Sequence, residues 1–337
     1  MAKEAILKIN QLKVSFQTGK RLLPAVDGIS FEVKKGEILG IVGESGSGKS
    51  VTSLAAMGLI PSPPGKIEHG EILFEGRNLA GLPEKEWRKI RGNQISMIFQ
   101  EPMTSLNPLF TIGNQLSEAI RLHTNLSKAE TKVRCLQLLQ LVGIPRAEGI
   151  LKEYPHQLSG GMRQRVMIAM AMACNPKVLI ADEPTTALDV TIQAQILALM
   201  KDLNEKTDTT VILITHDLGV VAEICERVIV MYSGQIVEEG DVRTILKNPK
   251  HPYTRGLLKS VPDLRLKKDR LYSIPGNVPR PGTIVNGCRF APRCAEVFGR
   301  CMEETPDLYK MGQPGHEVRC FLYETSERSG ENARVTS

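Results

Sequence analysis

Aromatic residues make up only 4% of the 337 positions, so any core here must be mainly aliphatic. With 42% hydrophobic residues, that core can still be sizeable. No apolar run reaches the roughly 18 residues that a membrane-spanning helix requires. The N-terminal stretch MAKEAILKIN has no secretory apolar segment. Together these absences predict a cytoplasmic protein whose membrane role, if it has one, is peripheral. Charge is nearly balanced, +6 overall from 43 basic and 37 acidic residues. Basic residues form no long run and are not interleaved with aromatics, so nucleic acid is not an expected partner. The seven cysteines include no C-x-x-C pair. Cys135, Cys174 and Cys225 stand singly in apolar helical patterns and are expected to be inert core residues. Cys288, Cys294, Cys301 and Cys320 crowd into the last fifth of the chain. A disulfide framework is not expected in a reducing compartment.

What is present begins with residues 43–50, GESGSGKS. The apolar run 38–42 precedes them as a buried strand, and Val51 to Ile60 follows as an apolar helix. Strand, glycine loop and helix form the context of a nucleotide phosphate loop. Glycines let successive backbone N–H groups point into one concavity, and the helix N-terminus adds partial positive charge. Gly43, Glu44, Ser45, Gly46, Ser47, Gly48, Lys49, Ser50 and Val51 are therefore expected to surround phosphates. Lys49 would reach the β- and γ-phosphates, and Ser50 would bind Mg²⁺.

The chain around the loop alternates strands and helices. Residues 6–16 and 28–33 alternate apolar and polar positions and read as antiparallel strands. Residues 70–76 form a short strand, and 95–99 a buried one that ends at Gln100. Residues 112–173 switch to helical periodicity, with a capping box at Ser127 to Glu130 opening a helix through about Leu141. Ser159 is a good N-cap ahead of Gly160 and Gly161, which makes a second anion-binding helix start. Residues 178–183 read as a buried strand ending in Asp182 and Glu183, which could hold Mg²⁺ and polarise an attacking water, respectively. A helix follows from 192 to 205, with Ile196, Leu199, Met200 and Leu203 on its apolar face. Residues 211–215 form another buried strand, with His216 at its carboxyl end. Residues 228–232 and 235–238 form a hairpin around Ser233 and Gly234. The alternation implies an α/β fold with a largely parallel sheet.

Five motifs now stand in a fixed order: GESGSGKS, Gln100, LSGGMRQR at 158–165, VLIADE at 178–183, and ITHD around His216. Together they resemble the ATP-binding-cassette (ABC) ATPases over residues 5–250. That resemblance implies a RecA-like P-loop NTPase core with an antiparallel β subdomain and an inserted helical subdomain at about 101–173. It casts Phe16 as the adenine-stacking aromatic, although Tyr is commoner there. Gln100 would sense Mg²⁺ and the γ-phosphate, with Ser50 and Asp182 as the other Mg²⁺ residues. Glu183 would be the catalytic base, and His216 and Lys49 would contact the phosphates. Ser159, Gly160 and Gly161 would cap ATP bound by a second, head-to-tail ATPase subunit, with Asp189 at that interface.

A narrower resemblance lies in QEPMTSLNP at 100–108, IADEPTTALDVTIQAQI at 180–196 and HPYTRGLL at 251–258. These are similar to ATPase subunits of bacterial oligopeptide, dipeptide and nickel importers. The resemblance implies an ATPase driving peptide uptake at the cytoplasmic face of the membrane, with nickel or another small solute as the alternative cargo. A soluble, non-transport cassette is the rival from another class. Expected partners are two membrane-spanning permease subunits, which would dock at 101–113, and an extracytoplasmic binding protein. Residues 251–325 would be a cysteine-containing C-terminal extension, followed by a flexible tail at 326–337. The resemblance also implies a [4Fe–4S] cluster on Cys288, Cys294, Cys301 and Cys320, with zinc and free thiols as alternatives. Arg289, Arg293, Arg300 and Arg319 each flank a cysteine and would favour thiolates.

Overall fold

The computed structural model describes residues 4–100, 105–186, 188–261, 272–279, 282–284 and 286–324. The sequence predicts a short helix over 251–262; its end at Pro262, the expected flexible tail at 326–337 and residues 101–104 of the docking stretch lie outside the described residues.

The chain opens with a long hairpin, β1 (Ala5–Thr18) and β2 (Arg21–Lys34). Thr18 pairs with Arg21, which leaves a two-residue turn in which Gly19 takes a φ of 62°. β3 (Ile38–Val42) is buried at every position and leads through the glycine loop into α1 (Lys49–Ala56). That helix is shorter than the apolar run to Ile60 suggested. Gly58 has a φ of 61°, and a Cβ there would lie 2.3 Å from the Trp87 ring, so the chain turns where only glycine fits. β4 (Gly65–Phe74) and β5 (Arg77–Asn78) return along β1, and α2 (Glu84–Ile90) leads to β6 (Ile95–Ile98).

The helical stretch follows as α3 (Ile112–Arg121), α4 (Lys128–Leu141), the short α5 (Ala147–Ile150) and α6 (Gly160–Ala171). The Ser127–Glu130 capping box is formed in both directions. β7 (Val178–Asp182), α7 (Val190–Thr207) and β8 (Thr210–Thr215) resume the alternation. On α7, Leu197 is buried with Ile196, Met200 and Leu203, while Leu199 is only partly covered. α8 (Leu218–Ile224), β9 (Arg227–Tyr232), β10 (Gln235–Asp241), α9 (Val242–Lys247) and α10 (Pro252–Ser260) complete the cassette. The extension adds α11 (Gly299–Glu303), β11 (Tyr309–Lys310) and β12 (Glu317–Val318).

Two sheets result. The antiparallel one runs β2-β1-β4-β5, and the larger one runs β11-β12-β10-β9-β3-β8-β7-β6. From β9 to β6 the larger sheet is parallel, so the carboxyl ends of β3, β6, β7 and β8 share one edge. Ligands bind at that edge in open α/β sheets. The fold is thus mixed α/β: a RecA-like core, an antiparallel sheet, a helical subdomain and a small C-terminal extension.

One aliphatic core joins the helical stretch to one side of the parallel sheet through residues such as Leu116, Leu139, Val166 and Leu213. Another lies between the antiparallel sheet and α1. The third sets aliphatic residues of α8, β9 and β10 around Tyr232, Tyr253 and Phe290, whose ring centroids lie 4.6–5.4 Å apart. It contains three of the chain's few aromatics and fastens the extension to β9.

Candidate nucleotide site

The glycine loop follows β3 directly. Gly46 has a φ of 80° and Gly48 one of 99°, and a Cβ on Gly48 would sit 2.7 Å from the Ala25 carbonyl. Glycine is required there for both backbone and space. Lys49 is buried beneath the loop, donating to the Gly43 carbonyl at 2.7 Å, the Glu44 carbonyl at 3.0 Å and Ser47 Oγ at 3.4 Å. Burial lowers the Lys49 pKa, while Glu183, Asp182 and Glu44 pull it back up. Thr52 ties α1 to the loop through the Gly48 carbonyl at 2.9 Å, Ser45 is exposed and Val51 packs against the second core.

The strand ends bring the predicted polar residues together. Ser50 Oγ lies 3.2 Å from Asp182 Oδ1. Gln100 Nε2 donates to Glu183 Oε2 at 2.9 Å, and His216 Nδ1 lies 3.3 Å from Glu183 Oε1. Thr186 Oγ1 also donates to Glu183 Oε2, at 2.9 Å. Glu183 itself sits at a φ of 47°. Such a strained backbone angle in a side chain of this size marks a position held by its surroundings.

Neighbouring carboxylates have opposite fates. Burial raises the Asp182 pKa, and the charge on Glu183 adds to that against the Ser50 hydrogen bond. Burial also pushes Glu183 upward, but the hydrogen bonds from Thr186 and His216, with help from Lys49, hold it below its ordinary value. Glu183 is thereby kept ionised beside the loop.

Other predicted residues lie elsewhere. Ser159 caps α6 by accepting from Met162 N at 3.3 Å and stays exposed. The nearest neighbours of Gly160 and Gly161 are Leu188 and Ile192. Asp189 caps α7, with Oδ1 accepting from Ile192 N at 2.9 Å. Phe16 is half-buried against the antiparallel sheet's core, next to Gly65.

The cysteine expectation is overturned. Among the described residues, no group of three or more His, Cys, Asp or Glu side chains is arranged to hold a metal ion. Cys288, Cys294, Cys301 and Cys320 do line a common cavity of about 20 Å³, but it is small and almost wholly apolar. Burial raises the thiol pKa of Cys288 and Cys294 and pushes that of Cys320 up to about 11. Protonated thiols are poor metal ligands. The flanking arginines do not supply the missing positive charge. Arg289 binds Asp27, Arg293 binds Glu44, Arg300 binds Glu304, and Arg319 donates to the Ile236 carbonyl. The four residues are free thiols, and no iron–sulfur cofactor is assigned. Cys135 is buried in the first core, as expected. Cys174 and Cys225 are only partly covered and lie just past the ends of their helices.

Sequence reasoning also missed residues that act on the site: Tyr253 and Arg293 touch Glu44 of the loop, and Thr186 touches Glu183. Thr186 and Tyr253 stand in the sequence only inside family stretches, and Arg293 only as a cysteine's neighbour. Each acts on a partner distant in the chain, except Thr186, for which proximity to Glu183 was the available signal.

A phosphate loop, a serine–aspartate pair and an ionised glutamate at one parallel-sheet edge define a P-loop ATPase of the ABC class. The family profile described as "ABC transporter" matches residues 26–186, and "Oligopeptide/dipeptide transporter, C-terminal region" matches 237–301. The chain is 56% identical to the oligopeptide transport ATP-binding protein AppD of Bacillus subtilis, covering 95% of this chain and 97% of that one. It is 51% identical to the dipeptide transport ATP-binding protein DppD of Escherichia coli, over 94% and 96% of the two chains. Among solved structures, a dimeric ATP-binding cassette, MJ0796, in a post-hydrolysis state bound to ADP and Pi is 31% identical. It superposes with a TM-score of 0.63 over 70% of this chain and 99% of that one. The chain belongs to the ABC-transporter ATP-binding subunits of the oligopeptide/dipeptide permease family, whose members are ATP-hydrolysing parts of multi-subunit complexes.

Proposed function

We propose that this chain binds and hydrolyses ATP to drive the import of peptides. The observation that carries the chemistry is Glu183, held ionised by Thr186 and His216 and linked to Gln100 at the edge that ends in Lys49 and Ser50. The cargo follows from likeness to peptide-transport ATPases along nearly the whole chain, extension included.

In this reading, Mg·ATP is the substrate. The oxygen donors of Ser50, Asp182 and Gln100 suit a hard cation that is held mainly by phosphates and few protein ligands. It would neutralise phosphate charge; the remaining work belongs to the chain. Lys49 leaves its carbonyl partners for the phosphates, whose charge restores the pKa that burial lowers. Glu183 orients and accepts a proton from the attacking water. His216, with 61% of its side chain exposed, is free to turn to the γ-phosphate. Phe16 supports the base.

The exposed start of α6 suggests a site completed from outside. Ser159, Gly160 and Gly161 would cap the nucleotide of a second ATPase subunit packed head to tail, with Asp189 near the seam. ATP then contributes contacts across the interface, and hydrolysis removes them. Two permease subunits would hold the chain at the cytoplasmic face, and an extracytoplasmic binding protein would deliver substrate to the complex from the other side. Among the described residues, no helix is long and apolar enough to cross a membrane. Leu109, 79% exposed, and Phe110, 50% exposed, support 105–113 as the described part of the permease-docking surface.

The test is Glu183→Gln, which should trap ATP in a closed dimer with hydrolysis lost. Near-normal turnover would remove Glu183 from the role of base.

A further inference from the structure

The C-terminal extension reaches the phosphate loop at two points. Arg293 forms a two-pronged ion pair with Glu44, at 2.6 Å from Nη1 to Oε2 and 3.1 Å from Nη2 to Oε1. Its side chain is only 4% exposed and is itself held by the Pro275 carbonyl at 2.8 Å and the Ile274 carbonyl at 3.3 Å. The Glu44 N–H donates to the Tyr253 hydroxyl at 2.8 Å. Four residues back along the same segment, Arg289 binds Asp27 and the Ser233 carbonyl. The adjacent Gly234 N–H donates to the Ser47 carbonyl at 2.8 Å.

These contacts answer a local conflict. Glu44 is an acid inside a loop that must accept phosphates, and two like charges at such range repel. The same residue's carbonyl accepts from Lys49, so a shift of Glu44 is passed to the phosphate-binding amine. Pairing with a planar guanidinium neutralises the carboxylate and fixes its direction. Tyr253 fixes the backbone at the same residue.

We propose that the segment from Cys288 to Cys294, with Tyr253, is a positioning brace for the phosphate loop. Arg293 and Tyr253 hold Glu44, Arg289 holds Ser47 through the Ser233–Gly234 turn, and together they set the affinity of the loop for ATP. The extension is thus part of the nucleotide site's mechanics, acting through Glu44 and Ser47 without touching the nucleotide. The proposal rests on the reading of residues 43–50 as the ATP phosphate loop.

The test is Mg·ATP binding to the full chain by titration calorimetry, alongside melting without nucleotide. Arg293→Ala should weaken ATP binding about tenfold, within the range of couplings carried by packed networks. Adding Glu44→Gln should restore most of that loss, because the charge that needed pairing is gone; a merely structural role for Arg293 predicts no such rescue. Tyr253→Phe keeps the ring and removes only the acceptor, and should weaken binding severalfold with little change in melting. It decides the matter if Arg293→Ala fails to fold. Arg300→Ala, which breaks ion pairs of the extension with Glu304 and Glu324, should leave ATP affinity unchanged. The brace is refuted if Arg293→Ala and Tyr253→Phe bind ATP normally while Lys49→Ala does not. It is equally refuted if Glu44→Gln gives no rescue, or if Arg300→Ala matches the loss in Arg293→Ala. If Lys49→Ala itself binds ATP normally, the loop reading fails and the brace with it.

Discussion

The sheet edge and the C-terminal extension both carry conspicuous sequence clusters, yet only one cluster is built for the chemistry its residues suggest. At the edge, Ser50 at the start of α1 meets Asp182 at the end of β7, and Gln100 and His216, which follow β6 and β8, meet Glu183. In the extension, four cysteines line one cavity, but burial keeps at least three of them protonated and the nearby arginines are engaged elsewhere. The difference is solvation. The edge lies at strand ends, where polar groups partner one another, and Glu183 remains charged. The cysteine cavity lies among Phe290, Ala291 and Phe321, where a thiol behaves as a small hydrophobe. Shared location in sequence is therefore weaker evidence for a site than shared exposure to charge.

That contrast predicts mutations at the edge that cost activity and mutations in the apolar packing of the extension that cost stability; Arg293 and Tyr253, which reach the phosphate loop, stand apart from that packing. The largest effect is expected at Glu183. Glu183→Gln should lower ATP hydrolysis about 10²–10⁴-fold and leave the melting temperature almost unchanged; comparable losses in both would erase the contrast. In the extension, Phe290→Ala removes the ring shared by Tyr232, Tyr253 and His251. Its expected cost is about 3–5 kcal/mol in denaturant unfolding.

His251 sharpens the comparison through pH. It is fully buried, and burial lowers its pKa to about 3, with Arg255 and Arg319 adding to that shift. Its Nδ1 accepts from Tyr253 N at 3.0 Å, so the neutral ring is what the fold requires. Above pH 6.5 both folded and unfolded states are neutral and the group contributes no pH dependence. As pH falls from 6.5 toward 3, the unfolded state binds the proton first and stability is lost. At pH 5 the loss amounts to about 2 kcal/mol. Glu239, whose pKa burial raises to about 7, runs in the opposite sense, so the single-site difference is the informative quantity. His251→Asn retains a capping acceptor and should flatten that acid slope in unfolding curves at pH 7 and 5. An unchanged slope would show that another group governs it. The smallest effect is set apart from both regions. Ser127→Ala removes half of the α4 capping box and should cost about 1 kcal/mol with no change in ATP hydrolysis.

Much of the edge was legible because its signals are local. A glycine pattern, an N-cap at Ser159, a capping box at Ser127 and an apolar strand ending in Asp182 each need only a few neighbouring residues to be recognised. Their order along the chain then pointed to one family. Arg293 was misread because its partner Glu44 lies 249 positions away, and nothing adjacent to it advertises that contact. The cysteines were misread because ligand identity is visible in a sequence whereas desolvation is not. The end strands were missed for a related reason. β11 and β12 are two residues each, too short for any alternation, and exist because β10 offers an open edge for β12 to pair with.

By itself, the sequence determined the strand–loop–helix around residues 43–50, the alternation that makes the sheet parallel, and the acidic end of β7. These follow from backbone freedom, hydrophobic period and capping, all short-range properties. Only the tertiary structure decided that the pKa values of Asp182 and Glu183 shift in opposite directions, that burial raises those of the Cys288, Cys294 and Cys320 thiols, and that the extension grips the phosphate loop. Those outcomes depend on burial and on charges brought together from distant positions, and neither quantity exists until the chain has folded.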